Sequence, residues 1–91
     1  MAYLNGKVGQ LLGSFSAGQE LIDLIKEQEH ITGAFYGLRK LGVQATMGDI
    51  LIINGKEIRI GKTGIYELEG VFIASLKFKA DSADVQVDYI W

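Results

Sequence analysis

Apolar positions recur along this chain with two different periods. From Ala17 to Leu41, Leu21, Leu24, Ile25, Ile31, Phe35, Tyr36 and Leu38 are spaced by three and four, the repeat of an amphipathic helix. Ser16 with Gln19 three residues on has the form of a capping box. Glu20, Asp23, Glu27 and Glu29 precede Arg39 and Lys40 in the order the helix dipole favours, and Gly42 supplies a C′ stop. The pattern predicts one long amphipathic helix over 16–42. Gly33 and Gly37 weaken it by about 1 kcal/mol each relative to alanine, and mark a kink, an early end near Gly33 or a close approach by another element.

The second period is two. Ile50 to Ile53 and Glu57 to Ile60 flank Asn54-Gly55, the pair that a two-residue type I′ turn requires, and predict a hairpin. Gly61-Lys62-Thr63-Gly64 turns the chain into a third strand, Ile65 to Leu68, of one meander. Beyond Gly70, Phe72, Ala74, Leu76 and Phe78 alternate with Ser75, Lys77 and Lys79. After a turn at Asp81-Ser82-Ala83-Asp84, Val85, Val87, Tyr89 and Trp91 share one face. Val43 to Met47 is a further strand. At the N-terminus Asn5-Gly6 suggests a tight hairpin that Gly9 and Gly13 keep short. The expectation is a single α+β domain over 1–91: an arm or hairpin (1–15), the helix (16–42), and a β-domain (43–91) forming a five- to six-stranded antiparallel sheet or small β-sandwich.

Leu21, Leu24, Gln28, Ile31, Phe35 and Leu38 also fall on successive a and d positions of a heptad, with Gln28 as the polar insertion that fixes register in a coiled coil. These six are the candidate oligomer interface. The same stripe, widened by Ile22, Ile25 and Tyr36, equally suits packing against the chain's own sheet, and both arrangements stay open at this point. With 48% hydrophobic residues in 91, the apolar content exceeds what one small core hides. Together with the heptad this points to a homo-oligomer, with a trimer favoured.

Charge and composition narrow the chemistry. Nine basic against eleven acidic residues give a net charge of −2, and the basic residues are scattered, which disfavours nucleic acid. Absence of cysteine excludes disulfides and thiolate metal sites. No apolar run approaches a membrane span and no basic region precedes an apolar one at the N-terminus, so membrane insertion and a secretory signal are not expected. Gly61-Lys62-Thr63 resembles the end of a phosphate-binding loop, but Lys56 stands where that loop needs glycine and a strand follows in place of a helix. The single histidine, His30, falls on the polar side of the helix and is read as solvated. Glu67 and Glu69 share one strand face as solvated edge charges, and Asp81 and Asp84 lack calcium-loop spacing. The residues indicate no catalytic site, no metal and no cofactor.

The run Ile58 to Leu68 (Ile-Arg-Ile-Gly-Lys-Thr-Gly-Ile-Tyr-Glu-Leu), then Ile73 to Phe78 and Val87-Asp88-Tyr89, resembles the C-terminal part of virion structural proteins from tailed bacteriophages of Gram-positive hosts. That resemblance implies a non-enzymatic tail, fibre or capsid-associated component that works in particle assembly or host attachment. It also implies other virion proteins as partners and location in the virion. It carries no catalytic residues to transfer. The alternative is a small-ligand or carbohydrate-binding β-module, which exposed aromatics such as Tyr66, Tyr89 and Trp91 gathered on one face would support.

Overall fold

The structure, a computed structural model, describes residues 7–91. It is mostly β: β1 (Val8–Phe15), α1 (Leu21–Gln28), β2 (Leu38–Gln44), β3 (Ile50–Ile53), β4 (Lys56–Arg59), β5 (Ile65–Ile73), β6 (Leu76–Phe78) and β7 (Ser82–Ile90). Four strands form one antiparallel sheet in the order β1-β7-β2-β5, and three form a second in the order β4-β3-β6. One hydrophobic core is shared between them, with Phe15 of the first sheet stacked on Phe78 of the second, centroids 6.5 Å apart and planes at 7°.

The α+β expectation is overturned, because the long helix over 16–42 does not form. Ser16 and Gln19 do bond to one another, Ser16 N–H to Gln19 Oε1 at 3.1 Å and Gln19 N–H to Ser16 O at 3.1 Å, but they close a turn ahead of the helix. Glu20 is the N-cap and α1 has eight residues. At its other end His30 takes φ 57, its N–H bonds Glu27 O, and the N–H of Ile31 bonds Lys26 O at 2.9 Å. These are the two reversed bonds of a Schellman stop, with histidine in the left-handed place that glycine usually fills. Residues 29–37 are irregular, and Gly42 lies within β2 and stops nothing.

The heptad breaks up accordingly. Leu21, Leu24 and Gln28 lie on α1, Ile31 and Phe35 in the following loop, and Leu38 in β2. Leu21 and Leu38 are fully buried in this chain's own core, and α1 turns Leu21, Ile22 and Ile25 onto it. Of the two packings left open, the helix takes the one against its own sheet.

The Asn54-Gly55 hairpin forms, with φ 49 and 84 at the two turn residues and Ile53 opposite Lys56. The expected three-stranded meander does not. β5 leaves the hairpin and pairs with β2 in the other sheet. The alternation from Val71 to Lys79 is likewise broken: β5 ends at Ile73, and after Ala74-Ser75 the chain enters the second sheet as β6. The turn expected at Asp81 to Asp84 is largely strand, with Asp84 at φ 55 in a bulge where Phe15↔Ser82 gives way to Gly13↔Val85. Val85, Val87 and Tyr89 do share the buried face. The Asn5-Gly6 turn lies outside the described residues, and β1 runs through both Gly9 and Gly13.

Candidate functional site

The four-stranded sheet has two edges. Along β1, Lys7 and Trp91 exchange both backbone bonds (3.0 and 2.9 Å), so by antiparallel alternation Val8, Gln10 and Leu12 turn their N–H and C=O groups outward. The end of α1 meets them there. Gln28 Nε2 donates to Gln10 O and to the Tyr89 hydroxyl, each at 2.8 Å, and that hydroxyl donates to Glu29 Oε2 at 2.6 Å. Burial and the neighbouring Glu29 carboxylate push the Tyr89 phenol up to about 12. The Tyr89 ring lies over Gly9, its partner across the ladder, and a Cβ on Gly9 would clash with the edge of that ring and with Glu29 Oε2.

Among the described residues no helix lies over the opposite edge, β5. Ala45 N–H donates to Gly64 O at 2.9 Å, which by alternation leaves the backbone groups of Glu67 and Glu69 facing outward. The register with β2 then jumps from Lys40↔Glu69 to Leu38↔Ile73, so that Arg39 alone opposes Gly70, Val71 and Phe72. Gly70 at φ 90 starts this bulge. It turns Val71 and Phe72 out to 49% and 57% exposure, beside Tyr36 at 78%. The Tyr36 and Phe72 rings sit 6.5 Å apart at 48°, and a cleft of about 220 Å³ separates Arg39 from the bulge. An exposed aromatic pair with an adjacent aliphatic and an arginine is the composition of a protein-contact surface.

Two features pin the bulge from behind. Gly37, at φ 127, passes so close to Ile73 that a Cβ would lie 2.7 Å from the Ile73 carbonyl oxygen. Asn54, in the hairpin turn, donates from Nδ2 to Phe72 O at 2.9 Å and accepts at Oδ1 from Ala74 N–H (2.9 Å) and Ser75 N–H (3.1 Å). Glu20 holds the next stretch, accepting from Ser75 Oγ at 2.6 Å and Leu76 N–H at 2.7 Å.

The alternation read from sequence places Phe72, Ala74, Leu76 and Phe78 on one face; Leu76 and Phe78 are buried, whereas the bulge and the corner after it leave Phe72 and Ala74 exposed. Of the six heptad residues, none belongs to the exposed aromatic surface. Tyr89 is buried, and Tyr66 and Trp91 are half-buried against the core, so these three aromatics are not gathered in solvent. Gly61 to Gly64 closes a turn, Gly64 N–H to Gly61 O at 3.0 Å, and leads into β5. A cleft of about 350 Å³ holds Asp49, Asp81 and Asp84, but Asp49 accepts from Ser82 Oγ (2.6 Å) and Thr46 N–H, and Asp81 from Ala17 N–H (2.8 Å). Those acids tie loops together. Among the described residues no group of three or more His, Cys, Asp or Glu is placed to hold a metal ion, and no helix is long and apolar enough to cross a membrane. No known family, no curated protein and no solved structure matches the chain.

Proposed function

We propose that this chain is a non-enzymatic assembly module of a tailed-phage particle, meeting further copies of itself through the surface formed by Tyr36, Val71 and Phe72. The observation that carries this reading is that surface: two aromatic side chains, more than half exposed, Phe72 held outward by a bulge that two separate contacts fix from behind and Tyr36 beside it in the loop before β2. Aromatic anchors of this kind dominate protein interfaces. The heptad that favoured a trimer is absent, so the proposal concerns self-association through this patch and leaves its order to measurement.

Side chains, and not a continuous sheet, make the contact. Pairing β5 with β5 of a second copy would set Glu67 and Glu69 against the same residues of the partner, which is unfavourable. The phage assignment rests on the resemblance of Ile58 to Leu68, Ile73 to Phe78 and Val87 to Tyr89, segments that fall on β4, β5, the corner, β6 and β7. The first test is the molar mass by light scattering on a sizing column across micromolar concentrations. A mass that rises with concentration supports the proposal, and a monomer at high micromolar concentration ends it. Mass spectrometry of purified particles then tests the virion assignment, which fails if the protein occurs only in the lysate.

A further inference from the structure

Asn54 stands before Gly55, and an asparagine followed by glycine has the least hindered route to loss of its side-chain amide. In that reaction the Gly55 nitrogen gives up its proton to solvent base and attacks Asn54 Cγ. A cyclic imide forms as ammonia leaves, and water opens the imide to aspartate or isoaspartate. The carboxamide must be free to swing its Cγ toward the Gly55 nitrogen. In the folded chain it is held at both ends: Nδ2 donates to Phe72 O at 2.9 Å, and Oδ1 accepts from the Ala74 and Ser75 amides. The Asn54 N–H adds a fourth bond, to Ser75 O at 3.0 Å.

We propose that Asn54 is a modification site held in check by the fold: its carboxamide pins the sheet-to-sheet corner at Phe72 to Ser75, and when the turn opens it converts irreversibly to a residue that has lost the donor to Phe72 O. Aspartate at this place sets a carboxylate oxygen against the Phe72 carbonyl oxygen, where the amide had a donor. Isoaspartate lengthens the backbone of a two-residue turn whose geometry tolerates no insertion. Either product loosens the corner that carries Phe72, so the chemistry would give the exposed aromatic surface a finite lifetime once the fold is breached. This inference rests on the turn and the corner alone and holds whatever the protein assembles into.

The test is the conversion rate at Asn54, followed by peptide mapping of the whole protein at mildly alkaline pH, in native buffer and in concentrated urea. Reaction through an opened turn scales with the open fraction, so native conversion is expected to be at least about tenfold slower. Equal rates would overturn the protection. Asn54→Asp tests the strut: at neutral pH the amides of Ala74 and Ser75 should be less protected than in the wild type, exchange being taken relative to the intrinsic rate at each pH, and acidification that protonates the new carboxyl should restore a donor to Phe72 O and raise that protection again. Wild-type exchange at neutral pH would overturn the coupling to the corner. Should that variant not fold, the ratio of wild-type rates still decides the protection.

Discussion

At the β1 edge the outward backbone is met by the end of a helix, whereas at the β5 edge it is met by two glutamates and a bulge. Both are ways of preventing a sheet from growing indefinitely, but they place different demands on the sequence. Closing β1 needs a bare Gly9, so that the Tyr89 ring can cross the strand and reach Glu29 and Gln28. Leaving β5 open needs only that the bulge be anchored from behind, and Val71 and Phe72 are then free of the core. The difference teaches where close packing resides: a side chain on Gly9 at the covered edge would meet Tyr89 and Glu29, whereas Val71 and Phe72 at the open edge face solvent, so substitutions are expected to cost stability at the first and little at the second.

Gly9→Val breaks the comparison from the covered side and has the largest expected effect. Its side chain would displace Tyr89 and with it the two bonds that the Tyr89 hydroxyl makes to Gln28 and Glu29, and overpacking of this kind costs about 1–3 kcal/mol or more. The urea midpoint should fall accordingly; an unchanged midpoint would mean that Tyr89 does not lie over β1.

The same edge carries an alkaline signature. The Tyr89 phenol titrates near 10 in the unfolded chain and about 12 in the folded one, so below pH 10 both states hold the proton and stability is independent of it. Between about 10 and 12 the unfolded chain binds fewer protons, and stability falls with rising pH at up to about 1.4 kcal/mol per unit. Tyr89→Phe should flatten that limb relative to the wild type. Parallel limbs from denaturation at several alkaline pH values would place the loss elsewhere.

Gly55→Val addresses the anchor of the open edge. At φ 84 a β-branched residue is strained although the space around it is empty, and the turn should lose more than about 1 kcal/mol. Because Asn54 holds the corner, the Phe72 ring should also lose its fixed position, which aromatic line broadening in NMR spectra would report.

What could be read in the sequence follows from how local its cause is. The β3–β4 hairpin is written in adjacent residues, Asn54-Gly55 between β-branched runs, and the buried set Val85, Val87 and Tyr89 is plain alternation. The three-and-four spacing predicts too long a helix because it continues past the helix end by coincidence: Ile31 and Phe35 belong to a loop and Leu38 to a strand, and the stop is a histidine in a glycine's place. Gly9 looked like an interruption because its reason, Tyr89, lies at the other end of the chain. The exposed surface was hidden for the same reason. Phe72 is turned outward by a bulge at Gly70 and a corner whose anchor, Asn54, stands far back in the sequence, and an alternation rule sees neither.

The smallest effect on stability is expected at the open edge itself, and it separates the two edges most sharply. Phe72→Ser removes an exposed ring whose backbone, and not whose side chain, is bonded to Asn54, so the unfolding free energy from urea denaturation should change by no more than about 0.5 kcal/mol. Tyr36→Ser, at a still more exposed loop position, should behave alike. In sedimentation velocity, by contrast, each substitution should weaken self-association, and the two together should abolish it, since interface energy concentrates in aromatic anchors. Wild-type association in the double variant would move the contact to another face. The outward Val8 and Leu12 of β1, exposed by 79% and 62%, are the next residues to replace. A large loss of stability from Phe72→Ser would mean instead that the ring supports the corner, and that the open edge is part of the fold's scaffold just as the covered one is.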